Sequence, residues 1–172
     1  MKISTYGGDI RKYWRIRQSL RYFQYTYKFV NALEECSSIL DVGGGPSGFL
    51  QKVDPRKYTK RVLLDLEQLE FTGEGSTPPT MVIEGDFLDT PLPLFDVVVC
   101  LQVMEHILDK HKFATKLLRV AQKYLIVTVP YKWAEESCID ENMVASWFKT
   151  PFEKKILTQT NEGTRLFCLF RK

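Results

Sequence analysis

Short apolar runs, separated by turn residues, divide most of this chain into alternating strands and helices. Runs of about four to eight apolar residues are typical of strands covered on both faces, whereas apolar residues three and four positions apart indicate helices. Strands are predicted at 39–42, 61–67, 81–84, 95–101 and 124–129, and helices at 109–121 and 140–148. Two further strand-like stretches, 152–158 and 164–170, flank a turn at 161–163 and predict a closing antiparallel hairpin.

The N-terminal stretch predicts one long helix over 11–33. Apolar residues recur there at steps of three and four, at Ile16, Leu20, Phe23, Tyr27 and Val30. Residues 1–33 also carry seven Lys and Arg against a single Asp. We interpret this helix either as packed on the edge of the sheet or as a lid over a substrate pocket, in which Tyr22 is a candidate substrate contact.

This order of elements predicts an α/β fold with a Rossmann-like, doubly wound and mostly parallel seven-stranded sheet that closes with the C-terminal antiparallel hairpin. We expect one domain over 1–172, with 1–33 as an N-terminal cap and 34–172 as the core. Ligands of such sheets bind at the carboxyl ends of the strands, where the strand order reverses. The fold should therefore gather the glycine-rich turn at 43–48, Asp65, Asp86 and the stretch 102–106 along one edge.

The stretch 39–50, ILDVGGGPSGFL, reads as a buried strand, a glycine turn and the start of a short helix. Bare glycine turns let a ligand approach the backbone closely. Gly43-x-Gly45-x-x-Gly48 formally matches the dinucleotide fingerprint, which leaves a fragment of an NAD- or FAD-binding oxidoreductase as one alternative. Against it, Asp41 would repel a pyrophosphate, and the chain is short for the second domain of a flavin enzyme. A non-catalytic binding subunit of the same fold is another alternative.

The pattern as a whole resembles the class I S-adenosylmethionine-dependent methyltransferases, especially the small type 11 group. The segments that carry the resemblance, from about 39 to 130, are ILDVGGGPSG (39–48), VLLDLE (62–67), EGDF (84–87), FDVVVCLQVMEHI (95–107) and YLIVTVP (124–130). The cofactor of that family, S-adenosyl-L-methionine, is cationic and carries no phosphate, so the acidic middle of this chain suits it. Residues 34–148 hold eighteen acidic and eleven basic side chains.

The resemblance implies a role for each matching position. Asp41 would lie near the ammonium of the cofactor, and Gly43 and Gly45 would lie against its amino-acid part. Asp65 would bind the ribose hydroxyls, and Asp86 would accept from the adenine amine. The remaining positions expected to contact the cofactor are Gly44 in the turn, Leu66, Phe87 beside the adenine ring and Gln102 below the sulfonium.

Methyl transfer from a sulfonium needs the acceptor to be aligned with the methyl group, and some acceptors also need a base. We expect O- or N-methylation of a small or medium acceptor, with His106 and Glu105 as candidate catalytic residues; a structural role for His106, capping the next helix, is the alternative. Tyr131 and Trp133 are candidate acceptor contacts. Part of this superfamily binds a divalent metal through a Glu-x-x-Glu-His motif, and Glu105-His106 resembles the end of that motif. The first glutamate is replaced here by Gln102, so no metal is expected.

The composition and motifs of the chain limit the metal sites, the cellular compartment and the acceptors that we expect. The four cysteines are scattered, which predicts neither a disulfide framework nor a zinc site. No apolar run approaches the length of a membrane span and no signal peptide is evident, so we expect a cytoplasmic protein. The residues after the fourth strand, 101–104, are not the Asn/Asp-Pro-Pro-aromatic motif of base methylation. We therefore expect a small-molecule acceptor rather than nucleic acid, and the oligomeric state is left open.

Overall fold

The computed structural model describes residues 16–45, 48–67, 77–132, 139–159 and 163–172. Within these ranges one sheet of seven strands forms the centre of the molecule. The strands are β1 (Ser38–Val42), β2 (Lys60–Asp65), β3 (Met81–Glu84), β4 (Phe95–Leu101), β5 (Ala121–Pro130), β6 (Glu153–Gln159) and β7 (Gly163–Arg171).

The strands lie in the order β3-β2-β1-β4-β5-β7-β6. The pairs from β3 to β5 are parallel, whereas β7 runs antiparallel to both of its neighbours, β5 and β6. The predicted α/β class, the seven-stranded mixed sheet and the C-terminal hairpin are thus confirmed. The strand order reverses between β1 and β4, which places the ligand-binding edge at the carboxyl ends of these two strands.

Three α-helices cover the two faces of the sheet in the described ranges: α1 (Arg21–Ala32), α2 (Lys110–Val120) and α3 (Glu141–Phe148). The side chains of Asp109 and Asp140 cap α2 and α3 by accepting from the backbone N–H groups of Lys112 and Met143, both at 2.9 Å. Every residue of β4 is buried, as the apolar run predicted. None of the helices in these ranges has the length and apolar character that crossing a membrane demands.

The N-terminal helix differs from the prediction. Residues 16–19 are helical, but Leu20 has extended backbone angles (φ −69°, ψ 141°) and α1 begins only at Arg21. The buried face of α1 is formed by Tyr22, Phe23, Thr26 and Val30, whereas Ile16 is 47% exposed. The prediction of a single helix over 11–33 was therefore wrong, because within the described residues the helix is interrupted at Leu20. The bend there rotates the turn that follows. Residues 11–15 lie outside the described residues.

Two strand boundaries also differ. β2 ends at Asp65 rather than at 67, because the Asp65 carboxylate accepts from the backbone N–H of Glu67 at 3.2 Å and turns the chain. β5 runs from Ala121 to Pro130, longer than predicted at both ends, and Pro130 still pairs with Arg165 of β7. Residues 68–76, between β2 and β3, lie outside the described residues.

The edge of the sheet opposite the ligand-binding edge is fixed by one carboxylate. The Oδ2 atom of Asp96 in β4 accepts from the backbone N–H and the hydroxyl of Ser37, at 2.8 and 3.1 Å. It also accepts from both groups of Ser38 at 3.1 Å, and the backbone N–H of Asp96 donates back to the Ser38 hydroxyl at 2.9 Å. These bonds fix the register of β1 against β4, which are the two strands that flank the ligand-binding edge.

Candidate functional site

The glycine turn follows β1 directly and requires glycine for two different reasons. Gly43 and Gly45 have left-handed backbone angles (φ 68° and 56°), which side chains rarely adopt. At Gly44 the restriction is space: a Cβ would overlap the Oδ2 atom of Asp41 and stand 2.7 Å from Cδ1 of Leu63. The turn therefore leaves its backbone bare at the edge of the sheet, as a cradle for a ligand needs.

Two carboxylates lie beneath this turn. Asp65, at the end of β2, accepts from the backbone N–H of Gly45 at 2.9 Å. Asp41, inside β1, is 1% exposed, and its Oδ1 atom is buried without a hydrogen-bond partner among the described residues. Burial, and then the neighbouring Asp65, raise the pKa of Asp41 to about 8, although Arg17 acts in the opposite direction. The structure thus brings Asp41, Asp65 and the glycine turn together.

The segment after β3 forms the next part of the same edge. The backbone N–H of Gly85 donates to the Asp65 carbonyl at 2.8 Å, which places the exposed Asp86 beside the end of β2. Asp86 begins a turn in which its carboxylate accepts from Leu88 N–H at 2.7 Å. Leu66, which follows Asp65, is 66% exposed and offers an apolar surface near this turn.

The Phe87 ring lies in the core. It is buried and packs on the Phe113 ring of α2, with 4.7 Å between the ring centroids. The ring is therefore a core side chain, in contrast to the position beside the adenine that the resemblance implied. The ammonium of Lys116 lies over the Phe87 ring. It also donates to the carbonyls of Leu88 and Thr90, at 2.9 and 2.7 Å. Lys116 thereby holds the turn that carries Asp86.

The turn after β4 packs against the glycine turn. Gln102 has a left-handed backbone (φ 58°), and its amide side chain donates to the Thr128 hydroxyl of β5 at 3.2 Å. Its backbone N–H also donates to the Thr128 carbonyl, at 2.9 Å. Val103 follows, close enough to Gly43 that a Cβ there would stand 2.7 Å from a Val103 methyl. Strained non-glycine backbone of this kind clusters at functional sites.

The two candidate catalytic residues lie in different environments. Both belong to a short 3₁₀ turn, Met104–His106, anchored by the fully buried Met104. The Oε2 atom of Glu105 is buried without a hydrogen-bond partner among the described residues, whereas His106 is exposed. Burial raises the pKa of Glu105 to about 7, against the opposing effect of Arg17 and Arg165. Of the two, Glu105 has the environment of a proton acceptor that works near neutral pH.

Tyr22 is buried on the side of the site formed by α1. Its hydroxyl accepts from Nε of Arg17 at 2.8 Å, and the Arg165 guanidinium lies 5.9 Å from the centre of its ring. Sequence reasoning did not single out Arg17 or Arg165. The available signal was an arginine within the apolar run of β7, where Arg165 is 9% exposed.

Of the remaining candidates, Tyr131 packs against the core at the end of β5, and its backbone N–H donates to the Thr164 carbonyl at 3.0 Å. Trp133 lies outside the described residues. In the described ranges, no three His, Cys, Asp or Glu side chains lie together as a metal ion would need.

Comparison with known proteins agrees with this geometry. The family model of the methyltransferase domain matches residues 40–126, which span β1 to β5 and contain the glycine turn and the described carboxylates. The chain belongs to this methyltransferase family. Its cofactor is accordingly S-adenosylmethionine, and the alternative of an oxidoreductase fragment gives way to it.

Individual relatives are similar only in part. The chain is 27% identical over 157 residues to norajmaline N-methyltransferase of Rauvolfia serpentina; the match covers 83% of the chain and 51% of the relative. The chain therefore spans about half the length of this curated relative. Magnesium protoporphyrin IX methyltransferase of Synechocystis, solved with S-adenosylhomocysteine, superposes with a TM-score of 0.71 at 12% identity, over 96% of this chain and 89% of that one.

A third similarity is to a methyltransferase complex. The structure of the Haloferax volcanii Trm112 methyltransferase activator with its methyltransferase matches with a TM-score of 0.67 at 15% identity, over 92% of each chain. At these identities the solved structures establish the fold alone. They place this chain among methyltransferase folds, and the acceptor has to be argued from the site.

Proposed function

We propose that this chain transfers the methyl group of S-adenosylmethionine to a nitrogen atom of a small or medium acceptor. The observation that carries the proposal is a buried carboxyl oxygen of Glu105 that has no hydrogen-bond partner among the described residues, on the turn that packs against the glycine cradle. An amine that is protonated in water must lose a proton before its lone pair can attack. A carboxyl group with a pKa near 7 suits that task.

The residues of the sheet edge suit the cofactor. The carboxyl group of Asp41 would face its ammonium, Asp65 would accept from ribose hydroxyls, and Asp86 would accept from the adenine amine. Leu66 offers the apolar surface, and Gly44 cannot carry a Cβ without displacing the Asp41 carboxyl group beneath the turn. When bound, the cofactor supplies a methyl group that is already activated by the positive sulfur. The protein then has to hold the acceptor in line and exclude water.

The acceptor would enter on the side of Glu105 and Tyr22. Tyr22, held by Arg17, gives this side an aromatic character, and Tyr131 and Trp133 remain proposed contacts. A nitrogen acceptor agrees with the N-methyltransferase among the relatives. His106 points to solvent and is the weaker candidate for a base.

The test is methyl transfer to a panel of small amines, with phenols and carboxylic acids of similar size for comparison. Glu105→Gln keeps the shape of the side chain but removes its basicity, so we expect kcat/KM to fall by about 10²–10⁴. The matched change His106→Gln, one residue away and exposed, should alter kcat/KM less than about threefold. Binding of S-adenosylhomocysteine should be preserved in both variants.

The pH profile gives an independent check. Glu105 must be deprotonated to accept a proton, so with saturating cofactor the kcat/KM of the wild type for the acceptor should rise as the pH increases through about 7 and then level off. Glu105→Gln should lose that limb. A larger loss in His106→Gln, or an unchanged profile in Glu105→Gln, would assign the base elsewhere.

A second candidate is a binding subunit that holds the cofactor but needs a partner chain for activity. The solved complex of a similar fold with the Trm112 activator favours this candidate. Its signature would be tight binding of S-adenosylhomocysteine without methyl transfer to any of the acceptors, followed by transfer once a partner chain is added.

A further inference from the structure

Asp41 is the most confined ionisable group of the cofactor edge. Its side chain stands between the backbone of Gly44 and the side chain of Leu63, with no space for even one more carbon atom at Gly44. Its Oδ1 atom has less than 1 Å² exposed and lacks a hydrogen-bond partner in the described part of the chain. Leaving a charged oxygen buried in this way costs several kcal/mol. The group is therefore more stable with a proton on it, unless a cation lies beside it.

On balance, burial and the charges around Asp41 also favour its protonated form. Asp65, from β2, disfavours ionisation of Asp41, and Arg17, from the segment before α1, favours it. Cys100, from β4, also faces Asp41, and burial raises the pKa of its thiol well above the ordinary value, so it brings no charge at neutral pH. Burial and Asp65 outweigh Arg17, and the pKa of Asp41 is raised to about 8. At pH 7 the carboxyl group is thus mostly neutral.

We infer that the cofactor is taken up in exchange for a proton, which leaves the carboxyl group of Asp41 as the ammonium of the ligand arrives. The inference rests on the proposed cofactor site. The exchange balances: one positive charge enters as the ammonium, the O–H bond of Asp41 breaks, and the proton passes to solvent. The orphan oxygen then gains a charge-assisted donor, which satisfies the buried group.

Two consequences follow. Affinity for any ligand with the amino-acid part should rise about tenfold per pH unit below about pH 7 and stop rising near pH 8, where Asp41 is ionised and the amino group of the ligand begins to lose its own proton. A ligand with only the adenosine part should bind with no such dependence. S-adenosylhomocysteine and 5′-methylthioadenosine are such a pair, since both carry an uncharged thioether and only the first has the ammonium.

The experiment is titration calorimetry of both ligands at pH 6.5, in buffers with different ionisation enthalpies. At this pH the amino group of the ligand is still protonated, because α-amino groups have pKa values of about 7.7–8.0. The wild type should release about one proton per S-adenosylhomocysteine and almost none per methylthioadenosine. Asp41→Asn should release almost none with either ligand, whereas Glu84→Gln, which changes an exposed carboxylate at the end of β3, should retain the release.

The outcomes separate this inference from the proposed function. Binding of S-adenosylhomocysteine by the wild type without proton release would overturn the inference alone. Proton release that persists in Asp41→Asn would show that the proton comes from another group and would overturn the inference as well. No binding at all would remove the proposed cofactor site, and the inference with it.

If Asp41→Asn does not fold, the pH dependence of the wild-type affinity is the deciding measurement. A rise of about tenfold from pH 6 to 7 that is seen with S-adenosylhomocysteine and not with methylthioadenosine supports the exchange, and a flat profile refutes it.

Discussion

Replacing Gly44 by alanine tests the packing of the cofactor cradle. The new methyl group would overlap Oδ2 of Asp41 and stand 2.7 Å from Leu63, and both neighbours are buried and have little room to move. Overpacking of this kind costs about 1–3 kcal/mol. The backbone at Gly44 is outside the left-handed region, so the cost comes from the clash rather than from the backbone. At a urea slope of about 2 kcal/mol per molar, a loss of 2 kcal/mol lowers the unfolding midpoint by about 1 M.

A double-mutant cycle identifies the cause. If the clash is with the Asp41 carboxylate, Gly44→Ala should cost about 1 kcal/mol less in an Asp41→Ala background than in the wild type. Gly85→Ala is the matched control, because a Cβ there would meet only the Thr90 hydroxyl, at 3.0 Å, a much longer approach than the one at Gly44. Its expected cost is below about 1 kcal/mol. An unchanged midpoint for Gly44→Ala, or equal costs in both backgrounds, would refute the reasoning.

Two further predictions concern the supports of the site. Lys116→Met removes two hydrogen bonds that hold the Asp86 turn, so the affinity for S-adenosylhomocysteine, measured by calorimetry, should fall about tenfold or more. Lys112 is exposed on the same helix, and Lys112→Met should have little effect. Asp96→Asn should lower the free energy of unfolding at pH 7 by about 1–3 kcal/mol, and Asp54→Asn, at a side chain that is 36% exposed, by less than about 1 kcal/mol. Burial opposes ionisation of Asp96, but its four hydrogen bonds outweigh it and lower the pKa below 3.8. The stability that Asp96 contributes is therefore present above about pH 4 and is lost as the pH falls through the native pKa. In urea titrations, the difference in the free energy of unfolding between the wild type and Asp96→Asn should become smaller below pH 4. A difference that stays constant would refute this assignment.

The fold could be predicted because its strands are long apolar runs with both faces covered. A strand such as β4, buried at every position, leaves a signal that does not depend on distant contacts. The meeting of Asp65 with the glycine turn also followed from topology, because parallel strands that are neighbours end at the same edge. The helix break at Leu20 left no such signal, since the apolar spacing continues through it.

The direction of side chains at the edge could not be predicted. Glu105 and His106 are consecutive in a short 3₁₀ turn, and which one faces inward depends on the backbone angles that begin at Gln102. The direction of the Phe87 ring also depends on the local backbone, since the Asp86 turn directs this ring towards Phe113 and the core. Arg17 and Arg165 come from opposite ends of the chain, so only tertiary structure brings their guanidinium groups to Tyr22.

The most direct test of the account is the affinity of this chain for S-adenosylhomocysteine, measured by calorimetry on the wild type and on Asp65→Asn. Asparagine keeps the shape that supports Gly45 but cannot accept from two ribose hydroxyls as a charged group. We predict tight binding by the wild type and a loss of about 10–100-fold in Asp65→Asn. Glu84→Gln, the exposed register partner of Asp65 on β3, should bind within about threefold of the wild type. No heat of binding for the wild type at millimolar ligand, or equal affinity in Asp65→Asn, would contradict the claim that this edge of the sheet holds the cofactor.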